Sequence, residues 1–361
     1  MVVEVEPSIS EIVRGLIIDN ARVRAALAEN PKAPPTFLEG LFRLIKPVEV
    51  LTGSDEGYGR EALAKNPNTP VRILEELAKD ESWKTRRAVA ENPSATAEIL
   101  TKLSNDDSVH VRVAVAGNPN TPVDILAKLA KDKSGRIRAA VARNPNTTTE
   151  ILDRLARDRS SFVRESVAMN PNTPANILDE LLMDRVEEVR AAVARNPNIS
   201  AEILGKLAES ESELIRAAVA GNPNTPAEIL EKLAGDKDPN VRNEVAGNKN
   251  TTADVLCRLL KDGVLREDIL VMRLVAENPN TPVDILINLT ENRYWLVRVG
   301  VARNPNTPID VLTKLSKDKD EKVRIAVAEN PNTPVRILEE LAKDKDENVR
   351  AAVARNPNIF Q

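Results

Sequence analysis

Residues 118–143 read N-P-N-T-P-V-D-I-L-A-K-L-A-K-D-K-S-G-R-I-R-A-A-V-A-R, and the Asn that opens this stretch recurs thirteen times in the chain. Ten of the twelve intervals are 26 residues long, and the set is Asn30, Asn66, Asn92, Asn118, Asn144, Asn170, Asn196, Asn222, Asn248, Asn278, Asn304, Asn330 and Asn356. Such a period is typical of one structural unit stacked on copies of itself. A single unit cannot bury its own apolar face, so we predict a solenoid in which each repeat contacts its neighbours.

The first half of this repeat carries the signals of a short helix. We predict that Thr121 is the N-cap, that Pro122 is the first helical residue and that Asp124 completes a capping box. Apolar side chains then recur at helical spacing, at Ile125, Leu126 and Leu129. The pattern predicts a first helix of about ten residues.

The second half predicts another short helix that ends at the next repeat Asn. Its predicted N-cap is Ser134, and the equivalent residues elsewhere are Ser82, Ser108, Ser160, Asp238, Asp320 and Asp346. Its predicted buried stripe is Ile137, Ala140 and Val141. Asn144 precedes Pro145, and a residue before proline is pushed out of the helical region, so the helix ends there. A 3-10 conformation is an alternative for either short helix.

The composition excludes several classes of protein. Apolar residues make up 42% of the 361 residues and aromatic residues only 2%, so the predicted core is aliphatic. The single cysteine, Cys257, excludes an internal disulfide and a cysteine-based metal cluster, and the single histidine, His110, argues against a histidine metal site. A Ser-His-Asp or Cys-His site could use only His110. We therefore predict no enzyme activity, no cofactor and no metal site.

The same features predict where the protein resides. One cysteine suits a reducing compartment, and the N-terminus has neither a basic region nor a long apolar stretch, so we predict a cytoplasmic protein. No run of 18 apolar residues occurs, which predicts no contact with the membrane interior. Abundant Lys and Glu, with proline in the turns, are also compatible with a thermostable protein from a heat-tolerant source.

The regular period is interrupted twice. Residues 1–65 hold a degenerate repeat and a 36-residue repeat with an apolar cluster and a turn-prone 53–57 segment; the cluster is Phe37, Leu38, Leu41, Phe42, Leu44 and Ile45. We predict that this region is a cap, with a partner-docking segment as the alternative. Residues 66–361 form the regular array, with a four-residue insertion around residues 262–276. Four residues are close to one helical turn, so the insertion is predicted to lengthen the second helix there.

Rows of charged residues accompany the period. An Arg lies six residues before the repeat Asn in twelve of thirteen repeats, at Arg24, Arg60, Arg86, Arg112, Arg138, Arg164, Arg190, Arg216, Arg242, Arg298, Arg324 and Arg350. An Asp usually lies six residues before that Arg, at Asp80, Asp106, Asp132, Asp158, Asp184, Asp236, Asp318 and Asp344. We predict Asp–Arg bridges within or between repeats, with a guanidinium grip on a ligand as the alternative. The repeat Asn is predicted to satisfy backbone groups at the end of the second helix.

The first helices carry a second charge pattern. An acid stands four residues before a base, as in Asp124 and Lys128 or Glu202 and Lys206. In two repeats the order reverses with both charges exchanged. This covariation predicts i,i+4 ion pairs on a solvated face rather than a stripe that binds nucleic acid.

The consensus phrase V-R-A-A-V-A-R-N-P-N-T-P, with I-L-x-x-L-A-x-D before the next V-R, resembles the leucine-rich repeat variant, and the D-x-x-x-x-V-R portion resembles HEAT repeats. The resemblance covers about residues 60–361 and implies an all-α solenoid with alternating α and 3-10 helices. We therefore predict a right-handed α-α superhelix of about 13 repeats. Some members of the variant family carry an iron-sulfur cluster bound by clustered cysteines, which this chain lacks.

In HEAT-like stacks the second helices line the inner curve, so residues that vary along those helices are the candidate binding residues. Trp, Tyr and Arg are enriched among residues that dominate binding energy. The predicted partner-binding residues are Trp83, Arg87, His110, Arg136, Arg143, Phe162, Arg195, Tyr294, Trp295 and Arg303.

We predict a non-enzymatic scaffold that binds a protein or peptide along this second-helix surface. The first alternative is a nucleic-acid-binding solenoid, which requires the Arg residues of that set to share one face from which acids are absent. Net charge gives this alternative no general support, because the chain carries −4 overall. The second alternative is a structural protein that associates end to end with copies of itself.

Overall fold

A computed structural model of the protein describes residues 25, 28–52 and 58–360. Every regular element within these residues is helical; they form 24 α-helices and one 3-10 helix and contain no strand. Contacts between Cα atoms divide the chain into two compact units, Met1–Leu181 and Leu182–Gln361. The all-α repeat fold predicted from the sequence is confirmed.

The described part of the first unit contains eleven helices. They are α1 (Pro35–Thr52), α2 (Tyr58–Lys65), α3 (Val71–Leu77), α4 (Trp83–Glu91), α5 (Ala97–Leu103), α6 (Val109–Gly117), α7 (Val123–Leu129), α8 (Gly135–Arg143), α9 (Thr149–Ala156), α10 (Ser161–Met169) and α11 (Ala175–Leu181).

The second unit contains thirteen α-helices and a closing 3-10 helix in its described residues. They are α12 (Glu187–Arg195), α13 (Ala201–Leu207), α14 (Glu213–Gly221), α15 (Ala227–Leu233), α16 (Pro239–Gly247), α17 (Ala253–Arg266), α18 (Ile269–Glu277), α19 (Val283–Leu289), α20 (Trp295–Arg303), α21 (Ile309–Leu315), α22 (Glu321–Glu329), α23 (Val335–Leu341), α24 (Glu347–Arg355) and the 3-10 helix Pro357–Phe360.

Most repeats pair a seven-residue first helix with a nine-residue second helix, as α7 and α8 do. The first helix is shorter than the predicted ten residues because the chain turns at Ala130, where the carbonyls of the last turn accept i→i−3 bonds. Five of the six predicted apolar positions are buried: Ile125, Leu126 and Leu129 on α7, and Ile137 and Val141 on α8. The prediction was wrong for Ala140, which is half-buried, while Ala139 beside it is buried.

Both helices of these repeats are α-helical, whereas the resemblance implied alternation with 3-10 helices. In α7, the Leu126 amide already bonds to the Pro122 carbonyl four residues back, which is α geometry. Within each unit, the second helices of successive repeats pack against one another more extensively than the first helices do. The core therefore runs mainly along the second helices.

The start of the first helix differs from the sequence prediction. In the α7 repeat the N-cap is Pro122, not Thr121. The Thr121 hydroxyl is buried and donates to the Val115 carbonyl at the end of α6, at 2.5 Å. The prediction of Thr121 as the N-cap was wrong because its hydroxyl bonds to the end of the preceding helix instead of to an amide of the following one. Where the proline is replaced by Thr96, Ser200 or Thr252, the side chain at this position accepts a bond from a helix amide, whereas Thr148 makes no such bond.

The N-caps of the second helices lie where the sequence predicts them, but their side chains behave differently. The Asp caps accept helix amides, as Asp238 does from Asn240 at 2.8 Å and Asp346 does from Asn348 at 2.8 Å. The Ser caps of α4, α6, α8 and α10 make no side-chain cap bond. Ser212, at the start of α14, does accept the Ile215 amide, at 3.2 Å, so residue type alone does not decide whether the cap bond forms.

The repeat Asn connects each repeat to the one before it. The side-chain amide of Asn144 donates to the carbonyls of Ala116 and Asn118, both at 2.8 Å, and its oxygen accepts the Asn146 amide at 2.9 Å. Asn144 is 1% exposed, so these bonds replace water for three backbone groups. The predicted role in satisfying backbone groups is confirmed, and the structure adds that the carbonyls belong to the preceding repeat.

The row of arginines also connects repeats. Arg138 donates through Nε and Nη2 to both carboxylate oxygens of Asp158 in the next repeat, at 2.6 and 2.8 Å. Its Nη1 donates to the carbonyls of Asp132 and Lys133 in its own repeat, at 2.8 and 3.1 Å. Equivalent two-bond pairs join Arg86 to Asp106, Arg216 to Asp236, Arg298 to Asp318 and Arg324 to Asp344. The predicted Asp–Arg bridges therefore run between repeats.

The insertion in the second unit lengthens the first helix of its repeat, not the second as predicted. Helix α17 has 14 residues, whereas α18 keeps the usual nine. The helix stops at Glu267, whose φ of 53° is left-handed, and the Asp268 amide reaches back to the Gly263 carbonyl at 2.8 Å. Asp268 then replaces the usual Asp as the partner of Arg242, at 3.1 Å.

The N-terminal region is described in part. Helix α1 buries Leu38 and Leu41 completely, which agrees with a core role for the predicted apolar cluster. Residues 1–24, 26–27 and the predicted turn at 53–57 lie outside the described residues, so the assignment of residues 1–65 as a cap remains a prediction.

Candidate functional site

The charged rows are largely occupied by contacts between repeats. Arg138 and Arg216 are less than a tenth exposed and bonded as described above, so they do not offer a free guanidinium row. Burial opposes ionisation of Asp158, but the bond from Arg138, the Ser160 amide and the nearby charge outweigh it and hold the pKa of this carboxyl below its usual range. These groups maintain the stack.

Several first-helix cations make ion pairs, but one of them pairs as predicted while others pair with a different acid. Glu202 and Lys206 form the expected i,i+4 pair at 2.7 Å. Lys232 instead reaches Glu209 of the preceding repeat at 2.8 Å, and Lys314 bonds to Glu291 in the same way at 2.5 Å. The i,i+4 prediction was wrong for these repeats because an adjacent acid from the neighbouring repeat lies within reach of the long Lys side chain.

In the first unit, the structure brings Trp83 and His110 together on neighbouring second helices. Their rings stack with centroids 4.7 Å apart and planes 25° apart. Trp83 is 36% exposed, so the stack forms part of the surface rather than the core. Arg87, one turn further along α4, pairs with Glu91 at 2.7 Å.

Arg143 and Phe162 form a second aromatic contact in the first unit. The guanidinium carbon of Arg143 lies 4.8 Å from the centre of the Phe162 ring. Phe162 is 43% exposed, and Arg136 is exposed two turns before Arg143 on the same helix. These three predicted residues therefore share the exposed face of α8 and α10.

The predicted residues of the second unit have mixed roles. Trp295 is 37% exposed, with the Lys322 ammonium 4.4 Å from its ring centre. Tyr294 packs against the apolar core beside it, so this residue is chiefly structural. Arg303 pairs with Glu329 at 3.6 Å. Arg195 is exposed at the C-terminal end of α12.

Two adjoining clefts of about 360 Å³ each open on the second-helix face of the first unit. One is lined by Trp83, Lys84 and Arg87 on α4, with residues of α2; the other lies over Gly117 on α6 and reaches Arg143 on α8. Glu91 lines both, so the two clefts adjoin at this residue, and we call them together the groove.

Sequence reasoning did not single out Gly117 as a site residue. A Cβ at this position would have no heavy atom within 4 Å, so the glycine leaves open space between Glu91 and Arg143. The signal was present in the sequence, because the equivalent residue of the neighbouring repeats is the charged Glu91 or Arg143.

Within the described residues, no group of three or more His, Cys, Asp and Glu side chains is placed to hold a metal ion. Burial raises the pKa of Cys257, which leaves this thiol protonated near neutral pH and a poor nucleophile. No helix in the described part of the chain is both long and apolar enough to span a bilayer.

Family models match the chain in several repeats. The leucine-rich repeat variant domain matches residues 188–249, and the leucine-rich repeat variant matches residues 109–134, 295–320 and 321–346. Comparison with curated protein sequences gives no match.

Among solved structures, the chain is similar to a leucine-rich repeat variant with a novel repetitive structural motif, at 30% identity over 63% of this chain and 88% of that one, with a TM-score of 0.39. It is also similar to Escherichia coli YibA (17% identity, 84% and 98% coverage, TM-score 0.32) and to importin beta (12% identity, 96% and 55% coverage, TM-score 0.28). On the family models and the 30% identity, this chain belongs to the leucine-rich repeat variant family.

Proposed function

We propose that this repeat protein is a non-enzymatic scaffold that binds a protein or peptide along the exposed face of its second helices. The observation that carries the proposal is the placement of exposed aromatic rings on that face. Trp83, Phe162 and Trp295 each lie at the start of a second helix, and each contacts a ring or cation from a neighbouring repeat. Large amphipathic side chains held in place in this way are typical of residues that dominate binding energy.

The other repeated side chains hold the stack together and leave the exposed aromatic residues as candidates for binding. Repeat Asn and Arg residues such as Asn144 and Arg138 are buried and bonded between repeats, so these groups cannot also serve a partner. The first-helix face displays isolated apolar residues such as Val123 and Ile309, about half exposed, among charged pairs. Scattered apolar residues of this kind are normal on any surface.

The alternative of nucleic-acid binding has less support in the geometry. It requires free arginines on one face, but Arg87 is paired with Glu91 and Arg303 with Glu329 on that same face. Carboxylates among the cations weaken the attraction for a phosphate backbone.

The proposal is tested with the full-length protein as bait in a lysate of its source, followed by mass spectrometry and quantitative binding of the purified partner. Trp83→Ala, Phe162→Ala and Trp295→Ala are compared with Val123→Ala and Ile309→Ala, which remove similarly exposed apolar side chains from first helices. We expect at least one of the first three variants to weaken binding about tenfold or more, because central aromatic residues commonly contribute 2 kcal/mol or more. The control variants should bind as the wild type does.

Two outcomes would overturn the proposal. One is a partner whose affinity is unchanged in all three aromatic variants. The other is salt-sensitive binding to DNA or RNA at low ionic strength as the dominant activity, which would favour the nucleic-acid alternative. The chain's two tryptophans, Trp83 and Trp295, provide an independent readout, because a partner that covers either ring should shift its fluorescence.

A further inference from the structure

We propose that the groove of the first unit, made of the two adjoining clefts on α2, α4, α6 and α8, binds an acidic peptide segment with an apolar side chain at its centre. This inference rests on the proposed function and names the chemistry of the partner at one part of the surface. It is argued from the charge and the shape of the groove.

The charged lining of the groove is positive once internal pairs are taken into account. Glu61 bonds to Lys65 and Glu91 bonds to Arg87, each at 2.7 Å. Two lining cations remain, Lys84 in the α4 cleft and Arg143 in the α6–α8 cleft, and neither has a carboxylate partner among the described residues. An acidic segment that lies along the groove would meet both.

Arg143 is held in a position suited to a carboxylate. Its guanidinium lies on the Phe162 ring, 4.8 Å from the ring centre, so its conformational freedom is reduced before a ligand arrives. Within the described residues, this guanidinium makes no hydrogen bond or ion pair beside the ring contact, so its N–H donors remain available to a ligand. A planar guanidinium presents these donors in the geometry that matches a carboxylate.

The floor of the same cleft is apolar. Val113 and Ala114 of α6 and Ala140 of α8 line it, and Gly117 leaves the space above them open. A volume of about 360 Å³ accommodates a side chain the size of leucine or phenylalanine. The groove thus combines one apolar position with flanking positive charge.

A neighbouring residue adds to the positive character. Arg136 is exposed near the N-terminal end of α8. The second-helix caps of this unit from α4 to α10 are serines, whereas aspartates cap α16, α18, α22 and α24 in the other unit. These four helices of the first unit therefore lack the cap carboxylates that would repel an acidic ligand.

The experiment is an unbiased selection of random peptides displayed on phage, with the full-length protein as target. Selected peptides are synthesised with a fluorescent label, and their affinity is measured by fluorescence anisotropy. We expect enrichment of Asp and Glu around an aromatic or aliphatic residue, and an affinity that falls as sodium chloride is raised from about 50 to 500 mM.

Variants of the groove test its location. Lys84→Gln and Arg143→Gln should each weaken binding about tenfold, and Gly117→Leu should block the central position. The glycine variant is expected to fold, because a Cβ there meets no heavy atom within 4 Å. The matched control is Lys102→Gln, which removes an exposed charge from the first helix α5 of the same unit.

The outcomes separate this inference from the proposed function. If selected peptides are not acidic, or if none is selected, the inference is overturned, while the partner-capture assay still decides the proposed function. If acidic peptides bind but respond only to Trp295→Ala, this groove is the wrong site and the broader proposal stands. If a 20-nucleotide oligothymidylate binds more tightly and loses affinity in Lys84→Gln and Arg143→Gln, the groove recognises nucleic acid and the peptide proposal is wrong.

Discussion

The contribution of the repeat Asn can be measured at Asn144 with a control two residues away. Asn144→Ala removes two donor bonds to the Ala116 and Asn118 carbonyls and one acceptor bond from the Asn146 amide, at 2.8, 2.8 and 2.9 Å. A net contribution of about 0.5–1.5 kcal/mol for each of the three bonds predicts a loss of about 1.5–4.5 kcal/mol. The backbone itself should tolerate alanine, since φ is −66° and ψ is 131°.

The control, Asn146→Ala, makes the same chemical change in the same turn. Asn146 is exposed, and its side chain makes one bond, to the Pro119 carbonyl of the preceding repeat at 2.5 Å. Because water can replace this bond, we expect a loss below about 1 kcal/mol. The comparison thus isolates the effect of burial and of bond number from the effect of the Asn-to-Ala change.

The assay is urea unfolding of both variants, followed by far-UV circular dichroism. Repeat arrays can unfold in more than one step, so the slope must be compared with that of the wild type before free energies are calculated. Hydrogen exchange supplies a local check, because the Asn146 amide should lose protection in Asn144→Ala. Equal losses in the two variants would refute the view that the buried Asn ladder stabilises the stack.

Two further predictions concern the second unit. The hydrogen bond from Arg216 holds the pKa of Asp236 below its usual range, so its stabilisation is complete above the unfolded pKa of about 3.9 and is lost as pH falls towards the folded pKa. Asp236→Asn should therefore reduce the loss of stability between pH 7 and pH 3 in urea titrations, and an unchanged pH dependence would contradict this. Gly300→Ala would place a Cβ 2.5 Å from the Arg273 carbonyl oxygen, and we expect a loss of about 1–3 kcal/mol. Gly117 has open space around it, so Gly117→Ala should instead stabilise the protein by up to about 1 kcal/mol in thermal unfolding. An equal change in stability in the two variants would contradict the close contact at Gly300 and the open space at Gly117.

Much of the fold was predictable because its signals are local and repeated. Buried positions such as Leu126 and Val141 follow from helical spacing, and the helix end at Asn144 follows from the proline after it. Stacking was predictable as well, since one repeat buries too little apolar surface to offset its conformational entropy.

Predictions of hydrogen-bond and ion-pair partners were wrong where a side chain could reach two different partners. The Thr121 hydroxyl could accept from an amide of the following helix or donate to a carbonyl of the preceding helix, and it donates to the carbonyl of Val115. Lys232 had the predicted acid on its own helix and Glu209 in the preceding repeat, and it pairs with Glu209. The spacing of residues in the sequence predicts which side chains are neighbours on one helix. It does not predict which side chains of other repeats come close through packing.

The candidate site shows the same limit. The sequence pointed to Trp83, His110, Arg143 and Phe162 as variable residues on second helices, but only the structure shows which of them touch. Gly117 was not predicted as a site residue because it contributes no side chain, only the space that it leaves between neighbouring repeats.

The sequence by itself determined the period, the two helices of each repeat and the apolar stripe, because these depend on residues a few positions apart. Tertiary structure alone decided that Arg138 bonds forward to Asp158 while Asn144 bonds backward to Ala116, and that a groove opens at Gly117. These features depend on distances between repeats. Stacking fixes those distances, and the order of residues along one helix does not.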